Sequence, residues 1–407
     1  MSSKPAVWRT TRRRLLGQSA AAVASLSVRS FARAADCPGV TDAEIKVGQT
    51  VPYSGPTSAY SANGRAALAY FEMLNRRGGV GGRRIRLISV DDAGNPAKTL
   101  EQTRRLVEQE QVAFMFQTVG TAANLAIRDY LNAHEAPQLF VGSGSALFSD
   151  PKHFPWTMGY LPGYRLEAEF YAKRILTTSP DARIAVLYQG DDFGKDYLVG
   201  LTGALGLERA SMIVRTASYD IVEPTVDSEV AALQASGADV FLIAATPKFA
   251  AQAIRKSFDI GWSATRYLSY VSRSRSAVLK PAGLDRSRGV ISALYFIDVS
   301  DPIWSDNPDV KAWKAFTEAY MSQADFVDAN AASGYCAAAT LAQVLEQCGE
   351  DLSRKNIMRQ AANLKNFKAP LLLPGVTINT SPDNYSPIRQ LQLVAFDGQS
   401  WRPLADR

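Results

Sequence analysis

The sequence predicts an α/β protein made of two successive parallel-sheet domains, and three observations predict it. The chain has 407 residues, more than a single domain of roughly 100 to 200 residues accounts for. Short apolar runs alternate with amphipathic stretches of helical period, and the alternation is played twice, with a break at Pro162. Strands separated by helices of roughly 10 to 15 residues imply right-handed βαβ units, and therefore parallel sheets with helices on their faces.

The elements follow in order. Ile45 to Thr50 reads as a strand, Gly64 to Asn75 as an amphipathic helix stopped by Gly78-Gly79, and Arg84 to Val90 as a second strand. Pro96 to Glu110 reads as a helix with proline at its start, Val112 to Gln117 as a strand, Ala122 to Ala133 as a helix and Gln138 to Val141 as a strand. Beyond Pro162 the series resumes: helix Arg165 to Thr177, strand Arg183 to Tyr188, helix Gly194 to Leu205 and strand Met212 to Tyr219. It continues with helix Thr225 to Ala235, strand Val240 to Ala244, helix Lys248 to Phe258 and strand Arg266 to Leu268. A helix-rich tail, Asp309 to Tyr320 and Ala331 to Gln347, ends in the strand-like Gln390 to Phe396.

The formal charge of +6 suggests a nucleic-acid partner until its location is considered. Seven of the 45 basic residues (Lys4, Arg9, Arg12, Arg13, Arg14, Arg29 and Arg33) fall in the first 35 positions with no acid, and the remaining 38 face 39 acids. Nucleic-acid binding is thereby excluded as the origin of the charge. Arg12-Arg13-Arg14-Leu15-Leu16, an alanine-rich run to Val28 and the triplet Ala32-Arg33-Ala34 have the order of an export signal. The apolar run is shorter than the ~20 residues needed to cross a bilayer, and the arginine pair resembles the twin-arginine type. Residues 1–34 are therefore expected to be removed near Ala34, leaving a protein free in the periplasm and not inserted in the membrane.

Three cysteines leave at least one unpaired. Cys336 and Cys348 lie 12 residues apart in one helical pattern, about 18 Å at ~1.5 Å per residue, too far for a disulfide. The expected pair is Cys37 with Cys348, against the alternative of three free thiols.

Catalytic constellations are missing. With two histidines and three scattered cysteines the usual metal clusters are absent, and no metal or other cofactor is expected. Gly78 to Gly82 follows a helix and precedes a strand, the reverse of a phosphate cradle. Gly142-Ser143-Gly144-Ser145-Ala146 lacks nucleophile-elbow spacing. A hydrolase would have to use His134 or His153. Asp91-Asp92, ahead of Pro96, reads as a turn.

What remains is a set of loops at the carboxyl ends of the strands, where open α/β sheets bind ligands. These are Pro52 to Tyr60, Gln117 to Thr121, Gly142 to Ser145 and Asp191 to Gly194. Gly120 and Gly144 let backbone approach a ligand, and the hydroxyls of Thr121 and Ser145 add donors to helix N-termini that favour an anion; both hydroxyls are equally suited to ordinary capping.

These segments carry a resemblance. I-K-V-G at 45 to 48, S-G-P at 54 to 56, N-R-R-G-G-V-G-G at 75 to 82 and the D-D-x-x-x-P of Asp91 to Pro96 are similar to the leucine/isoleucine/valine-binding (type I) periplasmic substrate-binding proteins of ABC importers. So are V-A-F-M-F-Q-T-V-G-T at 112 to 121, D-D-F-G at 191 to 194 and the segment Asp259 to Trp262. The resemblance implies a two-lobed fold closing by hinge motion, with lobe I at 43–160 plus 297–384 and lobe II at 161–296 plus 385–407. It implies ligand contacts at Tyr60, Gly120, Thr121, Gly144, Ser145, Phe193 and Thr246, no catalysis, and permease subunits as partners. One departure stands out. Amino-acid receptors of the family carry an acidic residue where this chain has Ser269-Tyr270-Val271-Ser272-Arg273-Ser274, so a carboxylic acid with an aromatic or branched body is expected in preference to an amino acid. A branched-chain amino-acid receptor and a periplasmic sensor subunit are the alternatives.

Overall fold

The computed structural model describes residues 1–3 and 37–404; apart from its first three residues, the export segment lies outside the described residues. From Glu44 the chain alternates as expected: β1 (Glu44–Val51), α1 (Ser61–Arg76), β2 (Arg84–Asp91), α2 (Pro96–Arg104), β3 (Phe114–Phe116), α3 (Thr121–Ala133), β4 (Gln138–Val141) and β5 (Thr157–Gly159). All five strands are parallel, in the order β2-β1-β3-β4-β5. The strand order reverses between β1 and β3, which leaves a crevice at their carboxyl ends.

The second series is α4 (Tyr164–Thr178), β6 (Ile184–Gln189), α5 (Asp192–Leu205), β7 (Ile213–Tyr219), α6 (Asp227–Gln234), β8 (Val240–Ala244), α7 (Pro247–Asp259), β9 (Thr265–Leu268), the single turn α8 (Lys280–Ala282) and β10 (Ile291–Leu294). Here too the order reverses, between β6 and β8, in a sheet that runs β12-β11-β10-β9-β8-β6-β7. Its last two strands, β11 (Gln392–Phe396) and β12 (Trp401–Pro403), are antiparallel additions that return from the tail.

Between β10 and β11 lie α9 (Pro308–Tyr320), α10 (Gln323–Phe326), α11 (Ala329–Cys348) and α12 (Arg354–Ala361). The longest of them, α11, packs on α1 of the first sheet's layer. Small residues make this approach possible: a Cβ on Gly334 would lie 2.3 Å from the Asn63 carbonyl oxygen. Among the described residues no helix is long and apolar enough to cross a membrane.

The structure departs from expectation in four places. The helix expected over Pro96 to Glu110 is α2 followed by one wider turn at Arg105–Gln109, closed by Glu110 N–H on the Arg105 carbonyl. The short strands β5, β10 and β12, together with α10 and α12, were not anticipated. Strand β3 stops at Phe116 because Gln117 turns to φ +47°. Finally, the expected Cys37–Cys348 disulfide is absent, and all three cysteines are free thiols. The Cys37 thiol turns to the Pro38 carbonyl, while Cys348 is buried at the end of α11, where burial pushes its thiol up to about 12.

Candidate functional site

The two crevices face each other across one cavity of about 140 Å³, close to the ~150 Å³ that accommodates a single benzene ring. Its walls come from the loops at strand carboxyl ends in both sheets, from the crossing segments at Tyr164 and Tyr295-Phe296, and from the first turn of α11. Two contacts join the two sheets' layers beside the cavity: the Tyr60 hydroxyl donates to the Val271 carbonyl at 3.5 Å, and Ala146 N–H donates to Asp196 of α5 at 3.0 Å.

Of the seven ligand contacts expected from the sequence, Tyr60, Gly120, Thr121, Phe193 and Thr246 line this cavity, and Gly144 and Ser145 do not. Gly120 has φ +105° and is the N-cap of α3, a conformation glycine adopts without strain; the first-turn amides beyond it have no intrahelical acceptor. The Thr121 hydroxyl is already bonded to Ser143 Oγ at 2.7 Å. Thr246 shares its hydroxyl with Gln189 and Tyr219, each at 3.2 Å. Phe193 stands edge-on to Tyr164, 5.0 Å between ring centres, and to Tyr197 at 5.6 Å.

Gly144 is needed for packing instead. A Cβ there would lie 2.3 Å from the Pro162 carbonyl oxygen and 2.6 Å from the Tyr270 hydroxyl. Tyr164 N–H reaches back to the Gly144 carbonyl at 2.9 Å, so this loop is pinned to the crossing segment. Ser145 is buried and caps the turn Ala146–Phe148 through Leu147 N–H. Gly144→Ala is therefore expected to lower stability by about 1–3 kcal/mol, the cost of overpacking, in a urea-unfolding measurement. A variant as stable as the parent but unable to bind would return Gly144 to the ligand.

Several further wall residues lie in segments the sequence singled out but were not among the expected contacts. Gln117 holds a left-handed backbone conformation, is 2% exposed, and its Oε1 has no hydrogen-bond partner among the described residues; non-glycine residues take such a φ sparingly, often at functional sites. Asp191 caps α5 through Phe193 N–H and Gly194 N–H, accepts from Gln189, and is pushed above the usual carboxylate range by burial. Arg273 follows β9 and lies over the Phe296 ring, its guanidinium carbon 3.9 Å from the ring centre. Behind the β9 loop, the fully buried Glu167 accepts from Tyr270 N–H at 2.7 Å and from the Tyr171 and Tyr197 hydroxyls. The main chain of Tyr270 is thus held at both of its polar groups, because its carbonyl accepts from Arg273 Nη1 at 2.8 Å.

The histidines a hydrolase would use are elsewhere. His134 is bonded to the Tyr130 carbonyl and His153 to Asp150, and neither lines the cavity. Asp91 and Asp92 hold the turn before α2 through Ala93 N–H, Gly94 N–H and Thr99.

The sequence model of the periplasmic binding protein family matches residues 44–400. Leu/Ile/Val-binding protein homolog 3 of Brucella melitensis is 24% identical over 220 residues, which are 53% of this chain and 58% of that protein. The chain spans about half the length of the curated relatives it matches. Among solved structures, a branched-chain amino acid ABC transporter protein from Thermus thermophilus with bound valine superposes with a TM-score of 0.80 at 17% identity, covering 90% of this chain and 97% of that one. A fatty acid ABC transporter substrate-binding protein from Thermomonospora curvata gives 0.76 at 20% identity, covering 91% and 94%. At these identities the structures establish the fold. Together with the family match over most of the chain, the two-sheet architecture and the cavity between the sheets, they establish that this chain belongs to the periplasmic binding protein family.

Proposed function

We propose that the protein is a periplasmic receptor that captures a small carboxylate-bearing ligand between its lobes and delivers it to the permease subunits of an ABC importer. The observation that carries this reading is the ring-sized, aromatic-walled cavity placed where the strand order reverses in both sheets. In this reading the first 34 residues export the protein and are cleaved near Ala34. The lobes divide at 43–160 plus 297–384 and 161–296 plus 385–407. Ligand binds without being converted.

The ligand is an aromatic or branched carboxylic acid. No acidic residue occurs between Asp259 and Asp285, so the β9 loop has nothing to receive an α-ammonium, and burying that charge unpaired is costly. The amino-acid reading is favoured by Asp191, the carboxylate that does line the cavity. Isothermal titration with leucine, valine, benzoate and phenylacetate separates the two, with mass spectrometry of the recovered ligand. Tighter binding of the acids, recovered unchanged, is the expected result. Submicromolar binding of leucine or valine with no acid bound would replace the ligand class, and chemical conversion would overturn the receptor.

A further inference from the structure

We propose that Arg273 is the charge anchor of the ligand: its guanidinium receives the ligand's carboxylate from the second-sheet side of the cavity. This inference rests on the reading of the protein as a receptor for carboxylic acids.

Arg273 is 7% exposed and lines the cavity. It is the one cationic side chain in the described lining, and no ion pair to it occurs among the described residues. Nη1 donates to the Tyr270 carbonyl, and the guanidinium plane is held over Phe296 and, at 5.4 Å, beside Tyr295. Nη2 is buried without a hydrogen-bond partner.

The nearby acids do not neutralise it. Asp298 is turned to Ser300, accepting from its N–H at 2.9 Å and its hydroxyl at 2.7 Å. Glu167 spends its acceptors on Tyr171, Tyr197 and the Tyr270 N–H, and burial pushes its carboxyl up to about 8, which disfavours its charged form. A buried guanidinium without a counter-charge is expensive, and its donor geometry matches a carboxylate. On the opposite wall, the Thr121 hydroxyl is bonded to Ser143. The unmet charge and the unmet donor therefore coincide in the Arg273 guanidinium, on an aromatic platform suited to the ring of the same ligand.

The test compares acids with their isosteric amides. Wild-type protein is titrated with benzoate, phenylacetate and 4-methylvalerate, and with benzamide, phenylacetamide and 4-methylvaleramide. The acid of at least one pair is expected to bind about 100-fold tighter than its amide, within the range for a hydrogen bond to a charged group. Arg273→Met is expected to remove that preference, weakening the acid about 100-fold and leaving the amide unchanged. Arg273→Lys keeps the charge and the stem over Phe296 but loses the planar fork, so it should fall between the two. Circular dichroism melts accompany each variant. If Arg273→Met does not fold, the wild-type acid/amide ratio and Arg273→Lys decide the matter. Acids and amides binding wild type equally, or Arg273→Lys and Arg273→Met binding acids like wild type, would overturn the anchor and leave the acid receptor standing. Wild type binding leucine and none of the acids would overturn both.

Discussion

Glu167→Ala is expected to destabilise the protein by about 4 kcal/mol, among the largest effects of any single substitution outside the hydrophobic cores. Glu167 is fully buried in α4 and accepts from Tyr270 N–H and from the Tyr171 and Tyr197 hydroxyls. Truncation leaves those donors to find new acceptors and opens a cavity beneath the β9 loop. Tyr171 also reaches the Leu268 carbonyl at 2.7 Å and Tyr197 reaches Ser269 at 2.5 Å, so two of the three have an alternative; the Tyr270 N–H does not.

The same residue makes stability depend on pH. Desolvation, partly offset by the tyrosine hydrogen bonds, pushes the Glu167 carboxyl from 4.5 up to about 8. The folded state therefore keeps a proton that the unfolded chain releases near 4.5, and its contribution is fully present below 4.5 and is lost as the pH rises toward 8. Glu167→Gln, neutral at every pH, should flatten that slope, with its amide donating to Tyr197 while Tyr197 donates to Ser269. Calorimetric melts across this range provide the measurement. A wild-type slope unchanged in Glu167→Gln would show that the carboxyl is ionised throughout.

Phe193→Ala is expected to act on stability and binding together. Phe193 is 4% exposed, stands edge-on to Tyr164 and Tyr197, and presents its remaining surface to the cavity. Removing the ring should cost about 3–5 kcal/mol of stability. It should also weaken ligand binding by about 10- to 100-fold, through ~1.5–3 kcal/mol of apolar contact. Phe193→Leu, which refills most of the volume, separates the effects: stability should largely return while affinity for an aromatic ligand stays reduced. Full affinity in Phe193→Leu would mean that no ring stacks at this position.

The alternation of strands and helices was legible because βαβ units write their period into the chain, and each long helix carries one apolar face. Strands β5, β10 and β12 were not legible. Strands β3, β4 and β9 are as short but each follows a long helix, whereas β5, β10 and β12 follow no helix longer than a turn, and their pairing comes from the strand beside them. The loops of Tyr60, Gly120, Thr121 and Phe193 were legible for a topological reason, because in a doubly wound sheet every carboxyl end falls on one edge; that these residues and Thr246 are ligand contacts was implied by the family resemblance. Gly144 and Ser145 sit at such an end too, yet they face Pro162, Tyr270 and Leu147. Which way a loop residue turns depends on what packs behind it.

By itself, then, the sequence determined the α/β class, the two successive sheets, the cavity-facing loops, and the lack of an acid between Asp259 and Asp285. Only the tertiary structure decided how those loops combine into one site. It brings Tyr60 to Val271, 211 positions away, sets Tyr295 and Phe296 beneath Arg273, and leaves Nη2 of that arginine buried and unpartnered. The reason is physical. Local period and residue type report the backbone state and the polarity of a face, whereas the burial of a charge and the identity of its partners are set by chain segments that meet only when the two sheets close on each other.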